Sequence, residues 1–124
     1  MNERTILYIE DNEYNRKIVR RLLERTSYRL IEAVDGESGV AMAQQALPEL
    51  ILMDVQLPKM SGLDATQILK ADPRTRAIPI VVITSFALSG DREKAATAGA
   101  DNYLAKPYSP REMLALVRQY LPES

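Results

Sequence analysis

The sequence predicts an α/β domain: an open, doubly wound, five-stranded parallel sheet with five helices on its two faces. Three observations carry that prediction. Five short apolar runs alternate with five longer amphipathic stretches. Two of the runs, Leu50–Asp54 (LILMD) and Ile78–Thr84 (IPIVVIT), are nearly unbroken Ile, Leu, Val and Met, as central strands covered on both faces require. No repeat, linker or low-complexity segment interrupts the alternation, so the 124 residues read as a single domain spanning 1–124, with no output domain after Leu121.

The elements follow in order. Thr5–Glu10 (TILYIE) is the first strand. Asn12–Arg25 places Ile18, Val19, Leu22 and Leu23 at helical spacing beside Arg16, Lys17, Arg20 and Arg21, with Asp11 available as its N-cap. Tyr28–Val34 alternates more strongly, which suits an edge strand. Glu37–Ala46 is helical after Gly36 and stops near Pro48, and Leu50–Asp54 is the third strand. Gly62–Ala71 carries Leu63, Ile68 and Leu69 and ends before Pro73. After the Ile78–Thr84 strand, Asp91–Ala98 is a short helix capped by Ser89 or Asp91 and closed by Gly99. It contains Ala95, Ala96 and Ala98 but no large apolar anchor. Asp101–Ala105 is short and polar at its ends, a second edge strand. Pro110–Leu121 closes the chain with Ser109 as N-cap and Pro110 in the first helical position.

Composition excludes much chemistry. Sixteen Lys and Arg against 17 Asp and Glu leave a net charge of -1, which gives no general affinity for nucleic acid or anionic membrane. The apolar runs are far shorter than the ~20 residues that span a bilayer. Met1–Thr5 lacks the basic start and apolar run of a signal peptide, so a cytoplasmic address is expected. With no Cys there is no disulfide, thiol nucleophile or cysteine-ligated metal; with no His there is no imidazole base, imidazole ligand or phosphohistidine of the chain's own. Chemistry here must run on carboxylates, hydroxyls, lysine and an oxygen-ligated ion.

In an open parallel sheet, function collects at the carboxyl ends of the strands. Glu10 and Asp11 end the first strand, Asp54 the third, and Thr84 and Ser85 the fourth, while Lys106 and Pro107 follow the fifth. Each alone has a bland reading: turn former, helix cap, solvated lysine or ordinary strand threonine. Together they place three carboxylates, a hydroxyl and an ammonium on one edge. Converging carboxylates repel and raise one another's pKa, and a hard divalent cation such as Mg²⁺ relieves the repulsion. One carboxylate then remains as a nucleophile or acceptor, with Lys106 to offset developing charge. That arrangement points to phosphoryl transfer onto a carboxylate.

Five dispersed motifs sharpen the reading: Leu7-Tyr8-Ile9-Glu10-Asp11-Asn12; Leu52-Met53-Asp54-Val55-Gln56-Leu57-Pro58; Met60-Ser61-Gly62; Ile83-Thr84-Ser85; and Tyr103-Leu104-Ala105-Lys106-Pro107. In order and spacing, from Arg4 to Leu121, the chain resembles a response-regulator receiver domain, the CheY-like fold of two-component signalling, a fold for which flavodoxin-like strand order is a familiar example. The resemblance implies strand order 2-1-3-4-5. It implies Asp54 as phosphoacceptor, Asp11 binding Mg²⁺ directly, Glu10 binding it through water, and the Gln56 backbone carbonyl as a further metal oxygen. Lys106 would contact the phosphoryl oxygens and precede a cis bond to Pro107. Thr84 would move toward the phosphoryl group, with Tyr103 changing rotamer, and Gln56 and Phe86 would flank the site and set the phosphoryl lifetime. A second Asp is frequent in the family where Glu10 stands, and Ala where Ser85 stands. The 85–91 segment (SFALSGD) is similar to a variant found in single-domain and hybrid-kinase receivers.

Rival readings fare worse. A haloacid-dehalogenase-type phosphatase needs a second Asp two residues after the first, where Gln56 stands. Neither G-x-x-x-x-G-K-[ST] nor G-x-G-x-x-G occurs, and Gly36 and Gly39 read as turn and packing residues. A degenerate receiver acting only by binding would lack the acceptor, the acidic pair or the lysine, and all three are present. The implied function is a phosphoacceptor switch more than a turnover enzyme. It would take a phosphoryl group from a histidine kinase or histidine phosphotransfer protein, hydrolyse it slowly, and signal to a downstream protein target as a monomer or weak homodimer. A receiver excised from a hybrid histidine kinase is the alternative context. The fourth helix, fifth strand and fifth helix would form the switching face. The basic cluster Arg16, Lys17, Arg20, Arg21 and Arg25 is either a solvated helix face or the dock for the phosphodonor domain.

Overall fold

A computed structural model describes residues 4–85 and 89–123. Five parallel strands, β1 (Thr5–Ile9), β2 (Arg29–Ala33), β3 (Leu50–Asp54), β4 (Ile80–Thr84) and β5 (Asn102–Ala105), form one sheet in the order β2-β1-β3-β4-β5. The expected fold class and strand order are both present, and the two strands expected at the edges stand there. Five helices alternate with them: α1 (Glu13–Leu23), α2 (Gly36–Ala46), α3 (Gly62–Ala71), α4 (Ser89–Ala98) and α5 (Pro110–Tyr120).

The sheet divides the core in two. Even-numbered residues of β1 and β3 (Ile6, Tyr8, Leu50, Leu52) and odd-numbered residues of β4 (Val81, Ile83) pack with Val19 and Leu23 of α1 and Met113 and Val117 of α5. The alternate residues of the same strands pack with Ala43 of α2, Ala65 and Leu69 of α3, and Ala95 of α4. All five residues of β3 and of β4 are buried, which explains why these strands read as continuous apolar runs rather than alternating ones.

Local chemistry sets the helix ends. Asn12, not Asp11, caps α1, its side chain accepting from the Asn15 amide at 2.9 Å. Helix α1 begins at Glu13, so only residue 12 reaches the third helical amide, and Asp11 keeps its carboxylate for other use. Helix α2 stops at Leu47 in the left-handed region (φ 48°), just before Pro48. Ser109 caps α5 within a reciprocal capping box with Glu112, and Pro110 follows it as expected. Helix α4 starts at Ser89, two residues earlier than the sequence pattern placed it. The expected cap at Ser89 or Asp91 involves side chains outside the described residues.

Two glycines reflect close packing. A Cβ on Gly39 would stand 2.5 Å from Cδ1 of Ile9, so α2 lies directly against β1. Gly99 closes α4 at φ +99°, where an L side chain is strained. Ile18 and Ile68, placed among the apolar positions of their helices by spacing, are exposed, because α1 and α3 bury the neighbouring Val19 and Leu69 instead.

Candidate functional site

The sheet register brings the chemistry together. Ile9 pairs with Met53, so Glu10 and Asp54 leave their neighbouring strands at the same level. Asp54 pairs with Ile83, and Thr84 with Ala105, which places Thr84 and Lys106 one step farther along. Strands β1 and β3 flank the point where strand order reverses, the place where an open α/β sheet leaves a crevice at its carboxyl edge.

Glu10, Asp11 and Asp54 each offer a carboxylate oxygen within 4.8 Å of the other two, the one such cluster of potential ligands among the described residues. Asp11 is exposed, whereas Glu10 is 1% and Asp54 4% exposed. Lys106 reaches into the cluster, its Nζ 3.2 Å from Glu10 Oε1 and 3.6 Å from Asp54 Oδ2. The Lys106 amide donates to the Thr84 carbonyl at 2.7 Å, and the Lys106–Pro107 bond is cis, as the resemblance implied. Thr84 is buried at the end of β4. The Gln56 amide donates to Asp54 Oδ1 at 3.3 Å.

Burial pushes the Asp54 carboxyl up to about 7, reinforced by its hydrogen bond to Glu10 and by the Glu10 charge, with Lys106 pulling the other way. Burial also opposes ionisation of Glu10. The Asp54 hydrogen bond, the Asn12 amide and Lys106 outweigh it and hold Glu10 below its ordinary value. Burial raises Asp11 as well, followed by hydrogen bonding and repulsion from Glu10. Lys106 is opposed by burial but raised overall by the facing Asp54 and Glu10 carboxylates, so it stays charged. Burial and the Glu10 charge thus oppose ionisation of Asp54, while Glu10 keeps its charge more readily. Such a cluster of hard oxygens around excess negative charge fits Mg²⁺.

Of the residues predicted for the site, Glu10, Asp11, Asp54, Gln56, Thr84 and Lys106 lie together on one edge. Tyr103 is half-buried against the α2–α4 side of the core, with the Arg92 guanidinium carbon 5.3 Å from its ring centroid. Phe86 lies outside the described residues.

Sequence reasoning missed several contributors. Arg16 Nη1 donates to the Glu10 carbonyl at 2.8 Å, and its guanidinium pairs with Glu13 and Glu32, so its side chain is only 12% exposed. Arg20 makes a two-pronged pair with Glu32, both contacts at 2.8 Å. Two of the five basic residues, Arg16 and Arg20, therefore serve internal contacts, while Lys17, Arg21 and Arg25 are exposed. Gly62 lies so close to the acceptor strand that a Cβ there would stand 2.0 Å from the Asp54 carbonyl oxygen. Glu10 also accepts from Asn15 Nδ2 at 3.2 Å, from the Asn12 amide at 3.2 Å and from the Tyr8 hydroxyl at 3.3 Å. Tyrosine within an otherwise aliphatic strand was the available clue, since a buried hydroxyl needs a partner. A cleft of about 440 Å³ lined by Asn15, Ile18, Ser85, Lys106, Pro107 and Tyr108 opens beside Lys106.

Known proteins are similar to this chain in sequence and fold. The family model described as response regulator receiver domain matches residues 6–118. The polar-differentiation response regulator DivK of Brucella anthropi is 37% identical over 121 residues, covering 98% of each chain. The receiver domain of sensor histidine kinase PA1611 from Pseudomonas aeruginosa, solved with a magnesium ion coordinated in its active-site cleft, is 34% identical. It superposes with a TM-score of 0.89, over 98% of this chain and 100% of that one. Vibrio cholerae chemotaxis protein CheY4, 24% identical, shares the fold at a TM-score of 0.90, over 96% of this chain and 99% of that one. Among the described residues no helix is long and apolar enough to cross a membrane.

Proposed function

The chain belongs to the response regulator receiver domain family, and from that membership we propose that it is a phosphorelay switch whose acceptor is Asp54. The observation that carries the proposal is the position of Asp54: buried at the end of β3, in one oxygen cluster with Glu10 and Asp11, and 3.6 Å from the Lys106 ammonium.

The donor is a phosphohistidine on a kinase or phosphotransfer protein, which the chain, lacking His, cannot supply itself. An Asp54 carboxylate oxygen forms the new P–O bond as the N–P bond breaks, and the bonding pair stays on the imidazole nitrogen, which takes up a proton. Glu10, Asp11, Asp54 and the Gln56 carbonyl would hold Mg²⁺, which when bound would supply positive charge to offset the carboxylates and the phosphoryl oxygens. Lys106, kept charged by its acidic neighbours, stabilises the negative charge on the transferred group. The buried strand end fixes Asp54 for in-line attack, so rate comes mainly from positioning. Hydrolysis follows when water attacks phosphorus, the P–O bond to Asp54 breaks, inorganic phosphate leaves and the carboxylate is restored.

Thr84 turning toward the phosphoryl group, with Tyr103 following, shifts a two-state equilibrium of the α4–β5–α5 face toward target binding. Helix α4 suits such movement because its described buried side chains are only Ala95 and Ala98, so little apolar area holds it down. The whole chain acts as this one switch domain, signalling through protein contacts.

The test is intact mass after incubation with Mg²⁺ and acetyl phosphate. One added phosphoryl group, lost in Asp54→Asn and with EDTA, supports the proposal. No gain in the wild type, together with no Mg²⁺ binding, overturns it in favour of a binding-only module.

A further inference from the structure

Glu10 Oε1 accepts from three donors that come from three elements: the Tyr8 hydroxyl on β1, Asn15 Nδ2 on α1, and Lys106 Nζ after β5. Oε2 accepts from the Asn12 amide at 3.2 Å. Oε1 is thus tied to the framework by three donors at once.

Tyr8 is fully buried in the α1–α5 side of the core, and Tyr108, half-buried, packs against the same cluster. A Val or Ile at position 8 would satisfy that apolar layer; the phenol oxygen does something further. The phenol donates to the Glu10 carboxylate at 3.3 Å.

We propose that Tyr8 is a positioning residue for phosphoryl transfer: by donating to Glu10 Oε1, it limits the hold of Glu10 on Lys106 and leaves the ammonium poised between Glu10 and Asp54. The geometry that motivates this is the near balance of the two Lys106 distances, 3.2 Å to Glu10 and 3.6 Å to Asp54. A carboxylate oxygen shared among three donors binds each less strongly than one left to a single ammonium. Without the phenol, Lys106 settles onto Glu10 and stabilises the transferred phosphoryl group less well. The proposal rests on the receiver reading above, with Asp54 as acceptor and Lys106 as its cation.

The experiment compares wild type, Tyr8→Phe and Asn15→Ala for phosphorylation by acetyl phosphate with Mg²⁺, each also in a Lys106→Met background followed over long incubations. The expected result for Tyr8→Phe is a rate constant at saturating donor lowered about tenfold, the scale typical of groups that orient a charged ligand. The donor concentration for half-saturation stays within twofold, and the loss disappears in the Lys106→Met background. A folded Tyr8→Phe with a wild-type rate overturns the proposal. The same loss repeated without Lys106 also overturns it, because the phenol would then act on the fold and not through the lysine. If Tyr8→Phe fails to fold, Asn15→Ala decides, since it removes another donor to the same oxygen: a loss that again needs Lys106 supports the proposal, and an unchanged rate overturns it. Failure of the wild type to take up phosphate would instead overturn the receiver reading, which keeps the two apart.

Discussion

Gly62 and Asp54 stand so close that a side-chain carbon on the first would lie 2.0 Å from the carbonyl oxygen of the second and 2.8 Å from its carbonyl carbon. The Gly62 amide meanwhile donates to the Val55 carbonyl at 2.9 Å, pinning the start of α3 onto the end of the acceptor strand. The obstacle is backbone on both sides, with no flexible side-chain end to move away.

Gly62→Ala therefore shifts either α3 or the end of β3. Overpacking of this kind costs about 3 kcal/mol. Thermal denaturation is expected to show a Tm lower by more than 5 °C or so. The remaining folded protein is expected to bind Mg²⁺ more weakly, since Asp54 is displaced. A Tm and an affinity both equal to wild type would show that the approach is looser than the geometry states.

The Asp54 carboxyl makes stability depend on pH. Its pKa is raised from 3.8 to about 7, so between those values the folded protein binds more protons than the unfolded chain. Stability of the metal-free protein then falls as pH rises through this window. Glu10 shifts the other way, and its contribution is lost only as pH falls below its ordinary value of 4.5. Asp54→Asn is expected to raise Tm by several degrees at pH 8 in EDTA and by little at pH 5. Mg²⁺ stabilises the wild type at pH 8 by binding the folded state alone. An equal gain at both pH values from Asp54→Asn would contradict the assignment.

Arg92 lies over the Tyr103 ring at 5.3 Å, a contact between α4 and β5 worth about 0.5–1 kcal/mol at an exposed site. Arg92→Ala should loosen the α4–β5 face with only a small change in Tm. Hydrogen exchange over 92–105 is expected to change on phosphorylation, and Arg92→Ala alone should move it in the same direction. No change over this segment on phosphorylation would remove α4 and β5 from the switch.

The basic residues of α1 separate into two groups. Arg16→Glu removes the donor to the Glu10 carbonyl, so phosphorylation by acetyl phosphate and by a protein donor should both slow. Lys17→Glu with Arg21→Glu changes exposed charge alone. It should slow transfer from the partner's phosphohistidine about tenfold through lost electrostatic steering, while acetyl phosphate reacts as before. Equal slowing with both donors in the Lys17 and Arg21 variant would exclude docking on this face.

Asp54, Lys106, Glu10 and Asp11 were legible in the sequence because parallel strands deliver their C-terminal neighbours to one edge, and a charge after a run such as Leu50–Met53 stands out. The same holds for β3, β4 and α5, whose apolar runs, cap and proline are local signals. The start of α4 was less legible: Ala-rich helix and polar turn blend without a marked boundary.

By itself, then, the order of residues determined the five βα units, the central and edge strands, and the set of charges on the carboxyl edge, because periodicity, capping and strand polarity act over a few residues. Tertiary structure alone decided that Asn12 frees Asp11 from capping, that Arg16 turns inward to the Glu10 carbonyl, that Gly62 touches Asp54, and that Tyr8 joins Asn15 and Lys106 on one oxygen of Glu10. Those contacts join residues as much as 96 positions apart (Glu10 to Lys106), and which buried polar atom finds which partner depends on sheet register and packing distance, quantities no local pattern carries.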